Sequence, residues 1–428
     1  MRLERELGKL GAALLVVITI LIATPGSWAQ SKYKSLYKFT GGSNGAQPSG
    51  LIFDKLGNLY GTAYSGGDHK GGVVFELAPT RAGGWKESVL YSFCSLSNCA
   101  DGTGPSNIVF DAAGSLFSTT FSGGTGGQGT VFKVTPNGEG RWSESVIYSF
   151  MGGQDGADPV AGLVFDQTGN LYGTTSRGGG TGCGGYGCGV VFELASRPDG
   201  SWTENVLHRF GGPDGAAPYA SLVFDIAGSL YGTAGAGGAY GDGVVFKLTS
   251  NSDGSWTESI LYSFCRLGGH CPDGSDPWAG VTFDQARNIY GTTLLGGGNC
   301  NPGYYFHPCG TVFRLTASSD GTWKESVLHK FNAKNGGIPY GNLIFDQFGN
   351  LYGTTNAYAR GPCPGCGAVF RLSPRSGGRW GETVIHYFYD RPGAHPTVGM
   401  IFDTAGNLYG TTYGDGNTTF GSIFEITP

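Results

Sequence analysis

Ten cysteines stand in five close pairs: Cys94/Cys99, Cys183/Cys188, Cys265/Cys271, Cys300/Cys309 and Cys363/Cys366. Thiols so spaced can close disulfides, hold a metal or run thiol–disulfide exchange. A zinc site needs a second pair at suitable spacing, and a thioredoxin-like site needs a βαβ setting. Cys363-Pro-Gly-Cys366 has neither and reads as a loop staple. An even cysteine count in an exported chain reads as a disulfide framework. Sequence does not fix its connectivity, local pairing being the simplest choice, and no metal and no cofactor is implied. The carboxylates are mostly periodic. Asp54, Asp111, Asp166, Asp225, Asp284, Asp346 and Asp403 each open a turn in which the side chain accepts backbone N–H groups and a glycine takes positive φ. Arg287 stands at that glycine's place in one copy, which predicts mild backbone strain there. The glutamates of Trp-x-Glu (Glu87, Glu144, Glu204, Glu258, Glu325, Glu382) are equally regular and read as structural. His208, His329 and His386 fall where other copies carry Tyr91, Tyr148 and Tyr262, so they read as packing variants. Asp-Gly-x-x-Pro at Asp101, Asp155, Asp214 and Asp273 signals a turn; calcium ligation by Asp155, Asp158, Asp273 and Asp276 is the lesser reading. No Ser/His/Asp constellation stands out. The glycine-rich loops precede no helix, so none is a phosphate cradle.

The informative residues are those that break the period. After a loop proline, Tyr219, Trp278 and Tyr340 replace the smaller Ser49, Ser106, Val160 and Thr397 of other copies. The longest insertion, between Cys300 and Cys309, adds Tyr304, Tyr305 and Phe306 in the same sector. Clustered aromatics on a polar, weakly charged surface suit sugar rings or a peptide segment, because such rings give apolar contact beside a hydrogen-bonding handle. The competing reading of the same residues is packing between repeats.

The elements that must position these residues are repeats. Phe-Asp-x-x-Gly-Asn-Leu-Tyr-Gly-Thr, with variations, recurs about every 58 residues from Phe53 through Phe110, Phe165, Phe224, Phe283 and Phe345 to Phe402, a longer period than familiar four-stranded propeller repeats. Each repeat holds four strand-length segments, in the first at 51–54, 59–62, 73–77 and 88–93, bounded by Gly, Pro, Asn or Asp. No stretch beyond residue 29 has a convincing helical apolar period. Glycine numbers 80 of 428 residues, charged residues are 14 % and aromatics 13 %. So many aromatics exclude a disordered glycine-rich chain, and the missing Gly-X-Y period excludes collagen. A net charge of −5 presents no cationic face to nucleic acid or anionic lipid.

The last repeat stops after its third segment, and the missing fourth stands at the other end, at 33–39, which matches 85–93 at its Leu-Tyr-x-Phe end. The expected architecture is therefore all-β: a seven-bladed β-propeller over 30–428, closed by the N-terminal strand completing the last blade, which leaves no edge. First-to-second and third-to-fourth strand spacings are constant, seven and ten residues. Second-to-third spacing runs from 15 to 23, and fourth-to-first also varies. One face is uniform; the other carries every insertion and all five cysteine pairs, and function is expected on that variable face. Residues 1–29 read as a signal peptide. Arg2, Arg5 and Lys9 precede an apolar run of twelve positions (12–23), interrupted only by Thr19, and Ser27-Trp28-Ala29 offers a cleavage site. Twelve residues span about 18 Å of helix against the ~30 Å of a bilayer core, so no membrane span is expected once the signal is removed, and the localisation expected is secreted, extracellular or periplasmic.

Gly-Leu-Val-Phe-Asp-Gln-Thr-Gly-Asn-Leu-Tyr-Gly-Thr-Thr at 162–175, followed by a glycine-rich stretch and Val190-Val191-Phe192-Glu193-Leu194, resembles the tandem-repeat extracellular bacterial proteins called GloVer-containing or choice-of-anchor proteins. The resemblance covers 31–428 and implies an exported, propeller-like protein; it carries over no catalytic residue. The turn sequence also looks like that of NHL-type propellers, a likeness of architecture alone. The function expected is non-catalytic binding of a glycan, peptide or protein partner on the disulfide-stapled face. The alternatives are a glycan-active hydrolase or lyase at the channel mouth, with Asp158 and Asp276 as its acids, and a structural surface protein without specific ligand.

Overall fold

The computed structural model describes residues 31–428 except 139, 299–308, 333, 360–364, 390–392 and 415–419. Residues 1–29, Cys300, Tyr304, Tyr305, Phe306 and Cys363 thus lie outside the described residues. Seven antiparallel sheets, one per anchor phenylalanine, form the ring of a β-propeller. In the first blade the strands are Ala46–Phe53, Leu59–Ser65, Val73–Pro79 and Trp85–Ser92, in that order from the axis outward. The seventh blade takes Ile401–Phe402, Leu408–Thr412 and Ser422–Thr427 from the end of the chain and Lys32–Lys38 from its beginning. Tyr33 lies opposite Ile426 and Lys38 opposite Ser422.

A blade lies between two others, so its middle strands bury side chains on both faces rather than alternating. Val73, Val74, Phe75 and Leu77 are all fully buried. Two aromatic contacts repeat seven times and join each blade to the next. The last phenylalanine of one blade meets the third-strand phenylalanine of its neighbour, as in Phe93–Phe132 at 4.7 Å and Phe210–Phe246 at 5.1 Å. The second-strand aromatic meets the following anchor, as in Tyr60–Phe110 at 5.2 Å. At the seam between the seventh and first blades the same contacts are Phe39–Phe75 at 5.2 Å and Tyr409–Phe53 at 5.0 Å. Burying each ring contributes roughly 1.5–3 kcal/mol, and edge-to-face geometry adds to it.

The polar repeat has equally local causes. Asp54 accepts N–H bonds from Leu56 and Asn58, both 2.8 Å, on one oxygen and the Asn58 amide at 2.8 Å on the other. The periodic aspartates therefore hold turns, as their spacing implied. Arg287 has φ 63° where Gly57 has 86°, so one turn does carry a side chain in the left-handed region. A second-strand threonine locks neighbouring blades near the axis: Thr62 donates to the Ser106 carbonyl at 2.7 Å, and Thr233 to that of Ala279 at 3.0 Å.

Candidate functional site

Where the chain enters each innermost strand, all seven blades line one cup of about 280 Å³ on the axis of the ring. That volume is near the lower end for small-ligand pockets, roughly 300–1,000 Å³. Its floor is tight. A Cβ on Gly280 would come within 2.9 Å of the Ser221 carbonyl oxygen, and one on Gly341 within 2.5 Å of that of Val398. Asn107 accepts from the Ser49 hydroxyl at 2.7 Å and the Gly50 N–H at 2.8 Å, and Asn342 from the Gly280 N–H at 2.7 Å. Each asparagine thus turns its oxygen to the neighbouring blade.

One sector of the wall is aromatic. Tyr219 and Trp278 stack with centroids 4.3 Å apart and planes 30° from parallel, and Tyr340 meets Trp278 edge-on at 5.5 Å and 90°. All three are half-buried and line the cup. The structure thus brings together the three residues singled out by their break in the repeat. Counting back from the anchor phenylalanine refines their register: the first two blades enter one residue shorter, so Pro48 and Pro105, not Ser49 and Ser106, stand at the equivalent position.

Sequence reasoning missed Gly235, at the end of a second strand where other blades carry Tyr64, Phe121, Ser176, Leu294, Asn356 and Tyr413. A Cβ on Gly235 would lie 3.0 Å from both Cδ1 and Nε1 of Trp278 and 3.3 Å from Tyr219. Trp278 therefore lies over a notch that a side chain at this position would crowd. An in-register comparison at that strand end carries the signal. On another sector of the same face Tyr64 and Phe121 approach to 6.4 Å.

The non-periodic acids part company. Asp158 forms an ion pair with Arg177 at 3.1 Å. Asp276 has no such partner among the described residues; burial, then the charge of Asp242, pushes its carboxyl up to about 6. Both adopt positive φ, 55°. Asp155 and Asp273 accept from Tyr148 at 3.1 Å and Tyr262 at 2.8 Å, in the manner of turn residues. Among the described residues the one group close enough to share a metal is Asp242 with Cys265 and Cys271, and those two sulfurs are joined. The histidines behave as packing variants: His208 bonds Asp214 at 3.0 Å, His329 bonds Asn335 at 3.0 Å, and His386 stacks on Tyr33 at 4.1 Å.

Cys94–Cys99, Cys183–Cys188 and Cys265–Cys271 are closed disulfides. Cys309 and Cys366 are disulfide-bonded as well, their expected partners lying outside the described residues. Leu96, Tyr186 and Leu267, within the three described loops, are 53, 70 and 67 % exposed. No described helix is long and apolar enough to cross a membrane.

A disulfide-stapled, seven-bladed propeller with an aromatic sector at its channel mouth is the class of protein this defines. The chain belongs to the Gloeobacter/Verrucomicrobia repeat family, whose model matches residues 23–184, 80–306 and 270–428. No curated protein matches it. Among solved structures it is similar to the extracellular domain of a one-component system from B. thetaiotaomicron, with TM-score 0.51 and 10 % identity. That match covers 92 % of this chain and 40 % of the other, so the chain spans less than half of that relative's length. A luciferin-regenerating enzyme (TM-score 0.46, 12 % identity, 93 % and 95 % covered) and the PQQ-bound aldose sugar dehydrogenase of Streptomyces coelicolor (0.41, 12 %, 93 % and 98 %) are fainter likenesses. At these identities what is shared is the fold.

Proposed function

We propose that this is an exported, non-catalytic binding propeller that takes a ring-bearing ligand, a sugar residue or a short peptide segment, in the axial cup. The observation that carries the reading is the aromatic sector. Tyr219, Trp278 and Tyr340 come from three successive blades, meet at 4.3 and 5.5 Å, and stand where other blades have smaller residues. The notch at Gly235 accommodates the indole, and the amides of Asn107 and Asn342 supply polar contacts at the cup's floor. Pairing of Asp158 with Arg177 occupies one acid that a hydrolase would use, which favours binding over chemistry. Closed disulfides suit an oxidising compartment outside the cytosol, in keeping with residues 1–29 as an export signal.

A glycan array, followed by titration of intrinsic tryptophan fluorescence with any hit, tests the reading. Trp278→Ala should weaken binding by about 2 kcal/mol, the scale of an aromatic hot spot, roughly thirtyfold. Loss of stability of ~3–5 kcal/mol, as for a core tryptophan, with affinity unchanged would assign Trp278 to packing and end the proposal.

A further inference from the structure

The glutamates of Trp-x-Glu pose an accounting problem. In all six, Oε1 is buried without a hydrogen-bond donor, and a buried carboxylate lacking donors is costly. Each packs against the preceding blade, where an outer-strand Tyr or His meets a loop Asp or Asn. A phenol has one proton to give. Tyr91 donates it to Asp101 at 2.9 Å, Tyr148 to Asp155 at 3.1 Å and Tyr262 to Asp273 at 2.8 Å, while His208 Nε2 bonds Asp214 at 3.0 Å. At three of these interfaces the donor is spent on the aspartate alone, while Tyr91 also lies within hydrogen-bonding reach of Glu144. Glu144, Glu204, Glu258 and Glu325 each face the charge of a second carboxylate.

The other two interfaces carry asparagine instead. Asn44 donates its amide to the Tyr37 hydroxyl at 2.8 Å, which frees the phenol proton for Glu87 at 3.3 Å. Asn335 donates directly to Oε2 of Glu382 at 3.3 Å. As at Glu87, whose bond is also to Oε2, the carboxylate thus gains one donor although its Oε1 has none. We propose that the four Asp-facing interfaces each store a proton in the folded ring, on Glu144, Glu204, Glu258 and Glu325, and that an asparagine amide takes the proton's place at the other two. Each stored proton makes a carboxylic acid of one member of a carboxylate pair and removes the repulsion across the interface.

The electrostatics run the same way. Burial first, then the charge of the facing aspartate, pushes all four glutamates up to about 7. Burial also raises Glu87 and Glu382, but Tyr37 and Asn335 oppose it. Tyr91 opposes the rise at Glu144, Arg209 at Glu204 and Lys330 at Glu325. An unfolded glutamate titrates near 4.3. The stored protons therefore stabilise the fold fully below that pH and lose their effect as pH climbs through about 7. His208, His329 and His386, lowered by burial, act in the opposite sense as pH falls, so the difference between variant and parent is the clean measurement.

Thermal unfolding of the whole chain at pH 5 and pH 8 provides the test. Glu204→Gln, and separately Asp155→Asn, which recreates the Asn44 arrangement, should raise Tm at pH 8 by about 3 °C and change it little at pH 5. The double variant should gain no more than either single one, because removing one charge already relieves the pair. Glu382→Gln should gain nothing at pH 8. Equal shifts at both pH values, or a gain at Glu382 matching that at Glu204, would overturn the proposal. Should Glu204→Gln fail to fold, Asp155→Asn answers the same question alone.

Discussion

Replacing Phe39 by alanine should weaken the ring at its seam. Phe39 follows the outer strand of the seventh blade, is 4 % exposed and packs edge-to-face on Phe75 of the first blade at 5.2 Å. Its N–H donates to the Gly421 carbonyl at 3.1 Å, so the backbone stays tied when the ring is removed and the cavity cannot easily collapse. Buried Phe→Ala changes cost about 3–5 kcal/mol, of which the ring pair supplies roughly 0.5–1.5. Phe210, 3 % exposed and 5.1 Å from Phe246, makes the same contact within the continuous part of the ring and serves as control. Both variants should show that full loss in urea unfolding. They should differ in hydrogen exchange. In Phe39→Ala the strand Lys32–Lys38 should detach more readily, and the amides of Ser422–Thr427 that face it should exchange faster, whereas Phe210→Ala should leave them unchanged. A cost below about 1 kcal/mol at Phe39, set against the full cost at Phe210, would refute the view that this strand holds the seam.

Gly235→Leu should displace Trp278, shift its fluorescence and abolish ligand binding, with the cooperative unfolding transition retained; unaltered fluorescence would count against the notch. Arg287→Gly should stabilise the protein by up to about 1 kcal/mol in chemical denaturation, because φ of 63° costs an L-residue roughly that much. Asp166→Ala should cost about 1 kcal/mol, read by thermal unfolding: burial disfavours its charge, but donors from Asn170 and Thr168 outweigh it and hold the carboxyl below its ordinary value. That contribution is complete above an unfolded pKa near 3.9 and is lost as pH falls through the lower folded value, so the penalty should shrink in acid. Reduction of the three described disulfides, with sequence separations of 5, 5 and 6, should cost less than the roughly 3 kcal/mol that chain entropy assigns to closing a 15-residue loop, and limited proteolysis should cut the variable face before the ring unfolds.

Seven anchors, four segments per repeat, the constant and variable turns and the turn role of the aspartates were all legible in the sequence. Each rests on chemistry within a few residues: short runs of aromatic and β-branched side chains, Asp and Gly at turn positions, and a period long enough to see. Trp278 was legible for the converse reason, since a residue that departs from seven-fold regularity is marked by the regularity itself. What periodicity cannot show is contact between repeats. That Trp278 lies over Gly235, or that Glu204 faces Asp155 while Glu382 faces Asn335, depends on which side chains adjoin after each blade turns about the axis. Those partners sit 43 to 49 residues apart, and no local rule links them. Their pairing, and with it the location of protons and of the aromatic cup, was decided by the tertiary structure, because burial between blades removes water and makes each polar group answer to its neighbour rather than to solvent.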